Sequence, residues 1–251
     1  MKLILIALLI GACLTHVQWP IATSTRIVKR EFIYLLPGQT YDGFLENGGK
    51  WVRYERGIDR KDNCGKIDGN RFDAVFELYN GATLKNVILG QNSIRYVNCL
   101  HSECTLENVW FENPCNDAIT IENCNIESSK FYIKGGGVKN AKGNIIQHNS
   151  AGKVYIQNFY VENSEQLYKS CDNFIYPFQG TRAVYMTNVT ALNVETLAGY
   201  NANFYDIVTL ENIQFTGKHV CRIYKGRFYD KEAKALEDKC QSNSITKCVC
   251  N

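Results

Sequence analysis

The chain has 251 residues, 45% of them hydrophobic and 21% charged, with a formal net charge of +3. That is the balance of a single folded domain and not of a disordered chain. No dense Lys/Arg block is present, so nucleic acid is excluded as a natural partner, and the mild basicity is read as a solvated surface.

The first element is a leader. Lys2 is followed by an unbroken apolar run, Leu3 to Ile10, and by the small residues Gly11 and Ala12. The run is too short to span a bilayer and has the form of a signal peptide over residues 1–16. A second reading of the same stretch, Leu9-Ile10-Gly11-Ala12-Cys13, is a lipoprotein cleavage site, ranked below simple export. No later stretch reaches the length of a membrane helix, so no membrane partner is expected. Eleven cysteines occur, and ten remain once Cys13 leaves with the leader. In an exported chain, ten cysteines predict up to five disulfides, with a connectivity that spacing does not fix. A zinc site is disfavoured because Cys248-Val249-Cys250 lacks the usual two-residue gap.

Residues 17–60 read as an entry segment that caps the body. The body is an imperfect repeat. Strand-like units such as Thr83-Leu84-Lys85, Thr105-Leu106-Glu107 and Tyr155-Ile156-Gln157 each end on a turn residue and resume as strand. The turn residues are Asn86, Asn108, Gly135, Asn158, Asn188 and Asn212, spaced by 22 to 30 positions. A period in that range marks a solenoid, propeller or array. The units alternate apolar and polar residues and contain no 3.6-residue period, which excludes helical solenoids. One unit holds too few residues for a four-stranded blade but suits one coil of three short strands. Asn and Gly both enter the left-handed region that a sharp bend requires. The expected fold is therefore all-β, a parallel β-helix over residues 17–229. Inward positions such as Leu84, Val87, Leu106, Val109, Ile133, Ile156, Phe159, Met186, Val189, Leu210 and Ile213 fill its core. Residues 230–251 form a Cys-rich tail, with a short helix expected over Asp230 to Asp238. The sequon Asn188-Val189-Thr190 falls on a predicted turn.

Several strings in order over residues 64–226 resemble the small calcium-dependent pectate lyases, polysaccharide lyase family three, of plant-parasitic nematodes, fungi and bacteria. They include Phe72-Asp73-Ala74-Val75-Phe76, Asn80-Gly81-Ala82-Thr83-Leu84, Cys104-Thr105-Leu106-Glu107-Asn108, Gly135-Gly136-Gly137-Val138-Lys139, Gln147-His148-Asn149 and Leu167-Tyr168-Lys169-Ser170-Cys171. The resemblance implies a disulfide-stapled right-handed parallel β-helix, secreted and monomeric. It also implies β-elimination of polygalacturonate in the plant cell wall, with Ca²⁺ as cofactor. Where the family has a calcium-binding Asp, this chain has Arg95. Where it has Glu-Asp, this chain has Asn116-Asp117. A family Asp-Lys is replaced by Gly143-Asn144, and a binding Lys by Gln166. The family's catalytic Arg is Lys169.

The resemblance thus implies Asp117 as metal ligand, Lys169 and Lys142 as catalytic cations, and Lys139 and Arg95 as contacts to the acidic polymer. Three readings stay open. The chain is a lyase with a rearranged site, a catalytically impaired relative that binds acidic glycans or a host protein, or a purely structural solenoid. The last predicts a flat repetitive exposed face. Hydrolysis ranks below elimination, because no paired carboxylates are evident. His148 is assigned a structural role.

Overall fold

The computed structural model describes residues 17–29, 31–59, 69–115, 117–122, 124–171, 173–174, 180–228, 234–236 and 248. The proposed leader and Asn116 lie outside them. The described chain is a parallel β-solenoid of about eight turns, of the type expected from the repeat. Apart from one short antiparallel pair in the tail, its described strands pair in parallel, side by side with the next coil. Parallel strands joined by crossovers adopt the right-handed sense almost without exception.

Each coil contributes to three faces. The first carries the segment before the Asn turn, as in Thr83↔Thr105 and Tyr132↔Tyr155↔Tyr185. The second carries the segment after it, as in Ile88↔Trp110↔Gly137. The third is built from Phe76–Tyr79, Val97–Leu100, Ile119–Glu122, Asn144–His148, the end of Tyr160–Ser170 and the later halves of Arg182–Asn201 and Ile207–Lys225. The inward positions are as patterned. Leu84, Val87, Leu106, Val109, Ile133, Ile156, Phe159, Met186, Val189 and Leu210 are buried, and Ile213 packs against them partly buried.

The turn residues behave as their chemistry requires. Asn86, Asn108, Asn158, Asn188 and Asn212 have φ between 50° and 56°, and Gly135 has φ 64°. Their amides stack into a ladder. Asn108 donates to Asn86 at 2.7 Å, and Asn86 to Asp42 at 2.9 Å. Asn212 donates to Asn188 at 2.6 Å, and Asn188 to Asn158 at 3.1 Å. Gly135 has no amide and divides the ladder in two. Asn188 Nδ2, the atom a glycan would occupy, is thereby engaged.

A second ladder follows the second face. Asn113, Asn140, Asn163 and Asn193 also have positive φ. Asn140 donates to Asn113 at 2.6 Å, and Asn193 to Asn163 at 2.8 Å.

Both ends carry further strands. Ser24–Ile27 and Val52–Glu55 are already coil strands, paired in parallel. In the tail, Lys234–Ala235 is a strand antiparallel to Tyr224–Lys225, where a helix was expected. The last coil leaves a free strand edge, and pairing it outweighs the helical preference of an Ala-rich segment. Cys221–Cys248 staples the tail, Cys99–Cys104 closes a short loop, and Cys115 is also disulfide-bonded. Cys124 is a buried thiol against Ser129 Oγ, so five disulfides are not reached.

Candidate active site

Parallel register turns residues 22 to 30 apart in sequence into spatial neighbours. On the third face one outward row is Glu77, Asn98, Thr120, Gln147, Lys169, Gly199 and Arg222. Beside it runs a second row, Asn144, Gln166, Thr196 and His219. Arg95 and Asp117 precede Val97 and Ile119 by two residues each, and Val97 and Ile119 are register partners. They extend the second row past Asn144. Arg95, Asp117 and Lys169 therefore share one face of the solenoid.

The contacts on this face are polar and continuous. Arg95 Nε donates to the Gly69 carbonyl at 3.0 Å, and Nη1 to Thr120 Oγ1 at 3.4 Å. Asp117 is hydrogen-bonded by Asn144. Asn144 Nδ2 donates to Gln147 Oε1 at 2.9 Å, and Gln147 Nε2 to Asn149 Oδ1 at 2.7 Å. This amide chain leads from Asp117 to the position beside Lys169. Burial pushes the Asp117 carboxyl up to about 6. The Arg95 guanidinium and the Asn144 hydrogen bond oppose that shift. Burial also raises Glu122, again opposed by Arg95 and by Arg71. Arg95 thus stands within the field of two half-buried carboxyls. Further along, Arg71 forks onto the fully buried Glu77 at 3.1 and 3.2 Å, and Tyr79 donates to the same carboxylate at 2.9 Å.

Lys169 is only 8% exposed. Its Nζ lies 3.1 Å from the centre of the Tyr224 ring, and Arg222 flanks the same ring at 5.8 Å.

Two expected contacts are elsewhere. Lys139 is on the second face, paired with Glu162 at 3.6 Å and lying 4.6 Å from the centre of the Trp19 ring. It lines a cleft of about 570 Å³ with Trp19, Arg53 and Glu112. Lys142 is exposed in the turn between the second and third faces. There it lines another cleft, of about 450 Å³, with Asn163, Glu165, Glu195 and Lys218. Lys142 and Lys139 line different clefts, neither of which includes Arg95, Asp117 or Lys169, and the chain bends between the two lysines at Asn140, whose φ is 56°.

Gln147 lies in the Gln147-His148-Asn149 string, whereas Thr120, Gly199, Arg222 and Tyr224 belong to the site environment but carry no motif. Only the strand register identifies those four, and counting one repeat on from Lys169 reaches Gly199 and then Arg222.

A calcium ion needs six to eight hard oxygen ligands, with several carboxylates among them. Among the described residues, no group of three or more His, Cys, Asp or Glu is placed to hold a metal. Asp117 is accompanied by the amide of Asn144 and by the positive charge of Arg95. That donor set does not fit Ca²⁺, and no step below is routed through it.

Residues 17–231 match the family model described as pectate lyase. The chain is 38% identical over 216 residues to a probable pectate lyase F of Aspergillus terreus, covering 86% of this chain and 87% of that one. It is 40% identical over 205 residues to a probable pectate lyase F of Aspergillus fumigatus, covering 81% and 82%. Among solved structures it resembles the catalytic domain of pectate lyase PelI from Erwinia chrysanthemi. The TM-score is 0.63 at 22% identity, covering 86% of this chain and 90% of that one. A second PelI structure, in complex with tetragalacturonic acid, has TM-score 0.62 at 22% identity and covers 82% and 64%.

Proposed function

This chain belongs to the pectate lyase family, and from that premise we propose that it is an exported enzyme cleaving polygalacturonate by β-elimination on its third face. The observation that carries the reading is the gathering of Arg95, Asp117 and Lys169 on one strand-built surface. The arginine there stands at the position where the family resemblance implies a calcium-binding acid.

The chemistry assigns the roles. The C5 proton of a galacturonate is weakly acidic, so its removal needs a base and a cation at the neighbouring carboxylate. Lys169 in its neutral form takes the proton. The C5–H electron pair becomes the C4=C5 double bond, the bond from C4 to the glycosidic oxygen breaks, and the departing oxygen takes a proton from water. Arg95 binds the uronate carboxylate with two parallel hydrogen bonds and holds the charge that develops on it. Asp117 and Asn144 fix the guanidinium's surroundings. Lys139 and Lys142, facing other clefts, have no part in proton transfer.

The test is incubation of purified protein with polygalacturonate, with and without a chelator, while following the unsaturated product by ultraviolet absorbance. Product is expected in both conditions, with Lys169→Ala abolishing it and Arg95→Ala lowering it about 100-fold or more. Absence of product at high protein, with binding retained, would replace this reading by that of a glycan-binding relative. Loss of product on chelation would return the charge-stabilising role to a metal.

A further inference from the structure

We propose that Tyr224 is a positioning residue for Lys169, and that Gly199 is glycine because that arrangement leaves no room for a side chain. The inference rests on Lys169 being the base, but it is carried by a different set of contacts.

A lysine on an outward sheet position is normally a mobile, solvated chain that keeps its ammonium in water. Lys169 is not. It is 8% exposed, and Tyr224, at 9%, lies over it with the ring centre 3.1 Å from Nζ. Tyr224 belongs to the strand two coils further on, and its backbone is held from both sides. It pairs with Asn201 in parallel and with Ala235 of the tail in antiparallel fashion. Gly199 is the register partner of Lys169 on the intervening coil. A Cβ built there would lie 2.9 Å from Tyr224 Cε2 and 3.4 Å from Lys169 Cδ, and closer still to the Gln166 amide. The φ of Gly199 needs no glycine, since it is absent from the positive-φ residues. Space is what the missing side chain provides. The ring leans across the gap onto the lysine and restricts the long stem to one course along the face.

A base held in one orientation loses less freedom in the transition state than one free to swing, so the arrangement acts on the rate and not on polymer binding. Tyr224→Phe keeps the ring and is expected to keep kcat within about twofold. Tyr224→Leu is expected to lower kcat about tenfold to a hundredfold while KM for polygalacturonate moves less than about twofold. Gly199→Ala, whose methyl would press directly on the ring and on the end of the Gln166 amide, is expected to reproduce the Leu phenotype in a protein that still folds, as checked by circular dichroism. If Tyr224→Leu fails to fold, Gly199→Ala decides alone.

Wild-type kcat in a folded Tyr224→Leu or Gly199→Ala protein would overturn the proposal. So would a loss in Tyr224→Phe as large as in Tyr224→Leu, or a gain in kcat on removing the ring, which would make it a lid. Lys169→Ala separates this failure from that of the base assignment. An active Lys169→Ala protein sinks the assignment itself, whereas an inactive one beside an unimpaired Tyr224→Leu sinks only the positioning role.

Discussion

At the scale of single residues, protonation sets two opposing pressures on the fold. The folded-state carboxyl of Asp117 is pushed up from 3.8 to about 6 by burial. The folded protein therefore holds a proton there that the unfolded chain has released, and stability falls as pH rises through that window. Asp117→Asn removes this slope. Its melting temperature, measured from pH 4 to pH 6, is expected to decline less with rising pH than that of the parent chain. His148 acts in the other direction. It is completely buried, with Nδ1 2.8 Å from the Tyr168 hydroxyl, and burial, reinforced by Arg182, holds its imidazole well below 6.5. The unfolded chain takes up that proton first, so stability is undiminished above 6.5 and falls as the solution is acidified below it. A neutral replacement, His148→Gln, is expected to flatten the acid side of the same curve. The structural role assigned to His148 from its sequence context agrees with this burial. Nothing in a single sequence could have announced the Asp117 shift, because it arises from neighbours on other coils.

At the scale of elements, the ladder of turn asparagines was legible because each stands between two short alternating segments. The second ladder was not. Asn113, Asn140, Asn163 and Asn193 are followed by segments whose inward and outward positions do not alternate cleanly, so no pattern brackets them. The consequence for stability is the same in both. Asn108→Ala loses the hydrogen bonds to Asn86 and from the Trp110 indole, and forces Ala to φ 56°. The expected loss is about 2–3 kcal/mol, read from chemical denaturation. Asn108→Gly relieves the backbone term and is expected to be milder.

The first face holds another repetitive feature. Tyr132, Tyr155 and Tyr185 stack with ring centres 5.2 and 5.0 Å apart and planes within 18°. Tyr155, between the other two, gives and receives a stack, so Tyr155→Ala is expected to cost more than Tyr185→Ala by about 1 kcal/mol. Each precedes an inward residue, Ile133, Ile156 or Met186, so alternation sets all three outward, but that they touch is visible only in the structure. The tail illustrates the opposite error. Its composition favours a helix, but the unpaired edge of the final coil offers backbone partners that an isolated short helix lacks.

At the scale of the whole molecule, coils pair their backbones only with their neighbours, so the ends decide how readily the array opens. The tail end is closed by Lys234–Ala235 and by Cys221–Cys248, which bridges a sequence separation of 27 residues. Opening that disulfide by Cys248→Ser is expected to cost about 3.5 kcal/mol in the chain-entropy model, measured as a fall in melting temperature relative to the parent chain. The fold class was readable from the repeat, because a solenoid advertises its period. The site was only half readable, since motif order supplied Arg95, Asp117, Asn144, Gln166 and Lys169, whereas register alone supplied Thr120, Gly199, Arg222 and Tyr224.

The parallel pairing of the third face has one more effect. Neighbouring strands stand about 4.8 Å apart, so the row from Glu77 to Arg222 is a graduated scale of fixed pitch, with one side chain at each mark. Its first three marks, Glu77, Asn98 and Thr120, are closed to solvent, so a polymer laid lengthwise would meet only the later stretch from Gln147 to Arg222. In a chain that acts as proposed, altering one of these later marks would change the grip on one sugar and leave the others in register, so the pattern of fragment lengths, more than the overall speed, would be the property that single exchanges along the row retune.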